Sequence, residues 1–227
     1  MPLSAQLPFD FVLHDEFTFY NFIVSAKNQE LLTDLKSADP ADTFYFIWGV
    51  EGSGKSHLLQ ASCAQHANSA YLPLKVFLDE GEQVLNGLDQ LDLLCIDDLH
   101  LVLSIPSWEE KLFALFNACQ TNASRLIVSS ASKPLQLNYA LPDLQSRFSS
   151  GVSYQLYELD EQEKLSALKS RAALQGIPLK DDVLNFIYLR SERSMSQLFA
   201  VLSQLDKLSL AEKRKITIPF VKAIMHW

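Results

Sequence analysis

An α/β fold, in which a parallel sheet carries a phosphate-binding loop and a small helical domain follows, is predicted from three observations. An aromatic and β-branched run, Phe44–Trp48, leads into Gly49-Val50-Glu51-Gly52-Ser53-Gly54-Lys55-Ser56 and then into a helical pattern. A second apolar run, starting at Leu91, ends in two carboxylates, Asp97 and Asp98. From Asp160 onward strand-like runs stop and only helical periodicity continues.

The elements follow in order. Residues 1–14 read as an extended tail, because Pro2 and Pro8 interrupt any helical pattern. Leu31, Leu32 and Leu35 share one face of a short helix over 28–36. Phe44–Trp48 is a buried strand, and Leu58, Leu59, Ser62 and Cys63 line one face of a helix over Lys55–His66. Ala70–Leu74 is a second strand. Leu91–Asp98, apolar almost to its end, is a third of the central parallel kind, covered on both faces. Trp108–Gln120 is an amphipathic helix, Arg125–Ser129 a fourth strand and Ser153–Leu159 a fifth. Helices are expected over Asp160–Leu174, Leu179–Leu189, Met195–Leu205 and Ile218–Met225. Asp160 and Glu163 suggest a capping box, and Gly176-Ile177-Pro178 a break. The expected division is a tail at 1–14, a base at 15–158 and a helical lid at 159–227.

Composition narrows the function. A chain of 227 residues, 48% hydrophobic and 20% charged, buries a real core. Its formal net charge is -8 and its longest basic run is Lys213-Arg214-Lys215, which argues against strong direct DNA binding. Cys63, Cys95 and Cys119 sit in apolar runs without CxxC spacing and read as small buried hydrophobes. No basic residue precedes Lys27 and no apolar stretch is long enough to span a bilayer, so a cytoplasmic protein with no membrane attachment is expected.

The glycine loop matches GxxxxGK[ST] in full. Gly49, Gly52 and Gly54 let backbone N–H groups, including that of Ser53, turn toward phosphate oxygens, and the helix that follows adds its positive end. Lys55 supplies a full charge, and the Ser56 hydroxyl is a candidate Mg²⁺ ligand; His57 is counted with the loop. At the carboxyl end of its strand, Asp97 is positioned to hold the Mg²⁺ shell and Asp98 to position an attacking water. The competing reading is a turn after a strand, where Asp is common. Adjacent carboxylates repel, however, which a turn does not require and a cation would relieve.

These residues resemble the DnaA-like AAA+ family. Gly54-Lys55-Ser56-His57-Leu58-Leu59 is similar to its GK[ST]HLL, and Leu94-Cys95-Ile96-Asp97-Asp98 to its LLIDD. Trp108–Phe113 with Phe116-Asn117 resembles its QEEFF…FNAL helix, Leu144–Phe148 its LKSRF, and Lys215–Val221 its ITIDFV. The resemblance runs in order from about Glu16 to Trp227, where DnaA itself continues into a helix-turn-helix domain. Leu141-Pro142-Asp143-Leu144 and Thr217–Lys222 look closer to the family's Hda-like branch, regulatory inactivators of DnaA. Gln6-Leu7-Pro8-Phe9-Asp10-Phe11 resembles the QLxLxL hexapeptide by which that branch binds the sliding clamp, with Phe9 and Phe11 where leucines are usual. The competing reading packs Leu7 and Phe9 on the core.

The resemblance implies bound ADP or ATP with Mg²⁺, and as partners DnaA and the β-subunit sliding clamp of DNA polymerase III. Two copies pairing as a homodimer stays open. It also implies an arginine finger in trans, at Arg147, against the bland alternative of a surface ion pair. Ser129 and Ser130 occupy the sensor-like positions after the fourth strand, but Ala131 stands where the family has an acid. Gln204 stands where DnaA turns an arginine toward its own nucleotide. Both departures favour an inactivator over the alternative, a self-contained AAA+ ATPase such as a helicase loader. A small-molecule kinase is disfavoured, since no arginine-rich substrate lid is visible.

Overall fold

A computed structural model describes residues 17–37 and 43–227. The clamp-binding candidates Gln6, Leu7, Phe9 and Phe11 lie outside these residues. The chain divides into two compact units. The first holds the sheet and runs to Leu156; the second is Tyr157–Trp227 with the short segments Ile23–Gln29 and Glu51–Ser53.

The first unit contains α1 (Gln29–Leu35), β1 (Phe44–Trp48), α2 (Lys55–Cys63), β2 (Ser69–Pro73), α3 (Leu74–Phe77), β3 (Leu93–Asp97), α4 (Pro106–Asn122), β4 (Arg125–Ser130), α5 (Pro142–Ser150) and β5 (Val152–Gln155). The five strands form one sheet in the order β2-β3-β4-β1-β5, and every pairing is parallel. Strands β1, β3 and β4 are buried along almost their whole length, which explains their unbroken apolar runs. The core joins Phe46, Leu94, Ile96 and Val128 of the sheet to Trp108, Leu112 and Phe116 of α4 and Leu144 and Phe148 of α5.

Several elements depart from the sequence expectation, and the larger departures have local reasons. The helix expected to reach His66 stops at Cys63, whose carbonyl accepts from Ser69 Oγ at 2.9 Å and from the His66 amide at 3.0 Å. Strand β5 ends at Gln155 rather than Leu159, because Gln155 pairs with Trp48, the last residue of β1. Helix α5 was read only as a segment. Its apolar face is the pair Leu144 and Phe148, too short a pattern to register as helical. Helix α8 (Met195–Glu212) outruns its expected end at Leu205, and Lys213 closes it in the left-handed conformation at φ 52°.

The second unit packs α6 (Glu161–Leu174), α7 (Asp181–Arg190), α8 and α9 (Ile218–Met225) around Leu168, Ile187, Leu198, Leu205, Phe220 and Val221. The expected capping box starts α6: the Glu163 amide donates to Asp160 Oδ1 at 2.8 Å, and the Asp160 amide to Glu163 Oε2 at 2.9 Å.

Glu109 on α4 has 0% of its surface exposed. Its carboxylate accepts from the backbone N–H groups of Ser104 at 2.6 Å, Ala140 at 2.9 Å and Leu141 at 2.6 Å. Leu141 is the residue that caps α5, so one buried carboxylate fixes where that helix starts. All three cysteines are free and buried, and burial pushes the Cys119 thiol up to about 11 and the Cys95 thiol well above its ordinary value. No helix among the described residues is long and apolar enough to cross a membrane.

Candidate functional site

The parallel sheet brings the carboxyl ends of β3, β4 and β1 side by side, the edge at which open α/β sheets bind ligands. Trp48, the last residue of β1, is in register with Ser130, the last of β4, and the loop that follows β1 is tied there by the Gly49 amide donating to the Ser130 carbonyl at 3.2 Å. The loop turns at Gly52, φ 79°, and Gly54, φ 104°. At Gly54 a Cβ would also come within 2.9 Å of the Phe22 ring, so both conformation and space demand glycine.

Helix α2 begins at Lys55 with no side chain capping its first amides. Lys55 is only 8% exposed. Its ammonium donates back to the carbonyls of Gly49 at 2.8 Å and Val50 at 2.9 Å, which holds the charge over the loop. The Ser53 hydroxyl is buried without a hydrogen-bond partner among the described residues. An uncapped helix start, a buried ammonium and an orphaned hydroxyl on one glycine loop fit a phosphate group. Ser56 is exposed in the first turn of α2. His57 lies apart in role: its Nε2 hydrogen-bonds the Thr18 carbonyl at 2.9 Å and its ring packs on Phe17 and Phe22, pinning that segment to α2.

Asp97, 2% exposed, is enclosed by donors. Tyr71 Oη donates to its Oδ2 at 2.7 Å, and Ser129 Oγ and the Asp98 amide, the latter at 3.1 Å, donate to its Oδ1. Ser129 and Ser130 are both fully buried. Ser129 also accepts from the Asp98 amide at 3.1 Å, so it joins β4 to the end of β3. Among the described residues no group of three or more His, Cys, Asp or Glu side chains could hold an ion. Ser56 and Asp97 carry a hydroxyl and a carboxylate, the donor types that Mg²⁺ takes as one or two protein ligands beside several waters and phosphate oxygens.

Asp98 follows in the left-handed conformation at φ 57°. Its carboxyl is held above the ordinary range first by burial and then by the charge of Asp97, with His100, Lys55 and Lys75 opposing. The raised pKa means that protonation favours the fold: this stability is present below the unfolded pKa and is lost as pH rises through the folded value. Near neutral pH the ionised Asp98 is thus a cost. Asp98→Asn removes the charge and suits the left-handed backbone, so it is expected to stabilise the protein by about 0.5–1 kcal/mol, read as a higher melting temperature at pH 7. The gain should shrink as pH approaches 4.

Arg147 stands on α5, exposed, in the last turn of the helix. Its carbonyl accepts from Ser150 Oγ at 2.8 Å, while no ion pair or hydrogen bond engages its guanidinium among the described residues. The buried neighbours Leu144 and Phe148 seat α5 on the sheet, and Phe148 stacks on Phe44. Lys55, Asp97, Asp98, Ser129 and Ser130 thus gather at one sheet edge, whereas Arg147 points to solvent from another element. Tyr71, Phe22 and Glu109 are the residues that sequence reasoning left out of the site. Tyr71 was legible only as one aromatic in a strand.

The model of the bacterial DnaA ATPase domain matches residues 13–155, and that of the Hda lid domain matches residues 161–225. Among solved structures, domain III of the Thermotoga maritima replication initiation protein DnaA superposes with a TM-score of 0.80 at 23% identity, covering 94% of this chain and 97% of that one. AMPPCP-bound DnaA from Aquifex aeolicus gives 0.69 at 22% identity, covering 89% and 70%. The Thermotoga maritima RuvB Holliday junction branch migration motor gives 0.68 at 20%, covering 92% and 71%.

Proposed function

The chain belongs to the family of bacterial DnaA ATPase domains, with an Hda-type lid, and from that premise we propose that it is a negative regulator of replication initiation. In this reading it holds ADP or ATP with Mg²⁺ and, together with the DNA-loaded sliding clamp, stimulates hydrolysis of ATP bound to DnaA. It does so by presenting Arg147.

The observation that carries the reading is the state of Arg147. A rigidly seated helix holds it outward, and its guanidinium is uncommitted among the described residues. A guanidinium entering a neighbour's site offsets charge developing on the γ-phosphate, worth about 10³–10⁵ in rate where measured. Within the chain's own site, Lys55 and the amides of 52–56 bind the phosphates, Ser53 Oγ gains its missing partner, and Ser56 and Asp97 hold Mg²⁺. A Mg²⁺ bound there offsets phosphate charge. The same loop chemistry is expected to accept a nucleotide as the Aquifex DnaA accepts AMPPCP. Asp98 is placed to orient water, but Ala131 and the exposed Gln204 supply neither the acid nor the arginine of the DnaA pattern. Weak turnover of its own nucleotide is therefore expected. Gln6, Leu7, Phe9 and Phe11 are the proposed clamp contacts.

The test is hydrolysis of ATP pre-bound to DnaA, with clamp loaded on DNA. The chain is expected to accelerate it, and Arg147→Ala to remove about 10³-fold or more of that acceleration. Because Arg147 is exposed, the same change should leave stability within about 0.5 kcal/mol. Acceleration that survives in the mutant removes the finger. No acceleration, with brisk turnover by the chain alone, replaces the regulator with a self-contained ATPase.

A further inference from the structure

The phenol of Tyr71 takes no part in the loop chemistry described above, yet it touches Asp97, one of the two groups assigned to the cation. It lies buried on β2, the strand beside β3, and donates to Asp97 Oδ2 at 2.7 Å. Toward an ionised carboxylate, which only accepts, the phenol is the donor.

A carboxylate offers about four acceptor positions. Around Asp97 three are taken: Ser129 Oγ and the Asp98 amide at Oδ1, and Tyr71 Oη at Oδ2. One position remains, on the oxygen that Tyr71 fixes. The phenol thereby helps set the direction of the Asp97 carboxylate. Without it, Oδ2 of Asp97 would have two free positions, and the carboxylate would be held at Oδ1 alone.

We propose that Tyr71 is a positioning residue for Mg²⁺-nucleotide, acting through Asp97. The inference rests on the nucleotide reading given above. Partners that orient metal ligands from behind typically contribute about 10–100-fold in metal affinity, and the lower end suits a hydrated ion held partly by phosphate.

The experiment titrates the full chain with a fluorescent ADP analogue, once with Mg²⁺ and once with EDTA, and takes the ratio of the two affinities. Tyr71→Phe, which removes only the hydroxyl, is expected to lower that ratio about tenfold while the affinity in EDTA stays within about twofold of wild type. A general loss of structure would lower both affinities together, and that result overturns the proposal, as does an unchanged or increased ratio. Should Tyr71→Phe not fold by circular dichroism, Tyr71→Met carries the same test with a side chain that fills irregular space. A wild-type chain that binds no ADP analogue overturns the nucleotide reading itself; a wild-type chain with a clear Mg²⁺ ratio that Tyr71→Phe leaves intact overturns only the role of Tyr71.

Discussion

Lys55→Ala is expected to abolish nucleotide binding, weakening it roughly a hundredfold or more, about 3 kcal/mol. Lys55 is a buried ammonium at the start of α2, and two of its three protons are committed to the Gly49 and Val50 carbonyls. That arrangement holds a full positive charge over the loop in a site with little water, where charge-assisted hydrogen bonds are strongest. Alanine removes the charge and leaves two loop carbonyls without their donor, so the loop also loses the tie that shapes it. Isothermal titration with ADP and Mg²⁺ measures the effect. Binding at wild-type strength in the variant would place the nucleotide somewhere other than this loop.

The largest effect on stability is expected at Glu109. Glu109→Ala removes the acceptor of three backbone N–H groups, those of Ser104, Ala140 and Leu141, and a hydrogen bond to a charged group is worth about 1.5–3 kcal/mol. Partial relaxation should hold the total to about 3–5 kcal/mol, which for a chain of this size lowers the melting temperature by about 10 °C. Glu109→Gln should cost less than alanine but still measurably, since its amide nitrogen would face a donor. Thermal melting of both variants followed by circular dichroism checks the order. A Glu109→Ala protein as stable as wild type would mean that water or a shifted loop satisfies those amides. Because Leu141 caps α5, the same variant is expected to lose the aim of Arg147 before it loses the sheet.

Strands were easy to read because central parallel strands must be apolar on both faces, and Phe44–Trp48, Leu93–Asp97 and Arg125–Ser130 are buried in that way. The glycine loop was legible because its backbone conformation at Gly54 admits no other residue. Helix α5 was not. Its start depends on a carboxylate 32 positions earlier in the chain, and its apolar face is only two residues long. Tyr71 was invisible for the same kind of reason. A tyrosine in a strand ordinarily signals packing, and only the register of β2 against β3 puts its hydroxyl on Asp97. The pairing of Asp97 with Ser129 was half legible: both residues were singled out, but the order β3-β4 that makes them neighbours was not in the sequence pattern.

The buried thiols have a further consequence. Cys63, Cys95 and Cys119 all belong to the sheet-bearing unit, on α2, β3 and α4, and the segment from Tyr157 to Trp227 contains no cysteine. A thiol reagent can therefore reach its targets only when the sheet-bearing unit opens. Labelling kinetics become a clock for that one unit, with three hands on three different elements. Ligand that binds the closed form slows the clock in proportion to its occupancy, so the same unmodified protein reports its own state of loading.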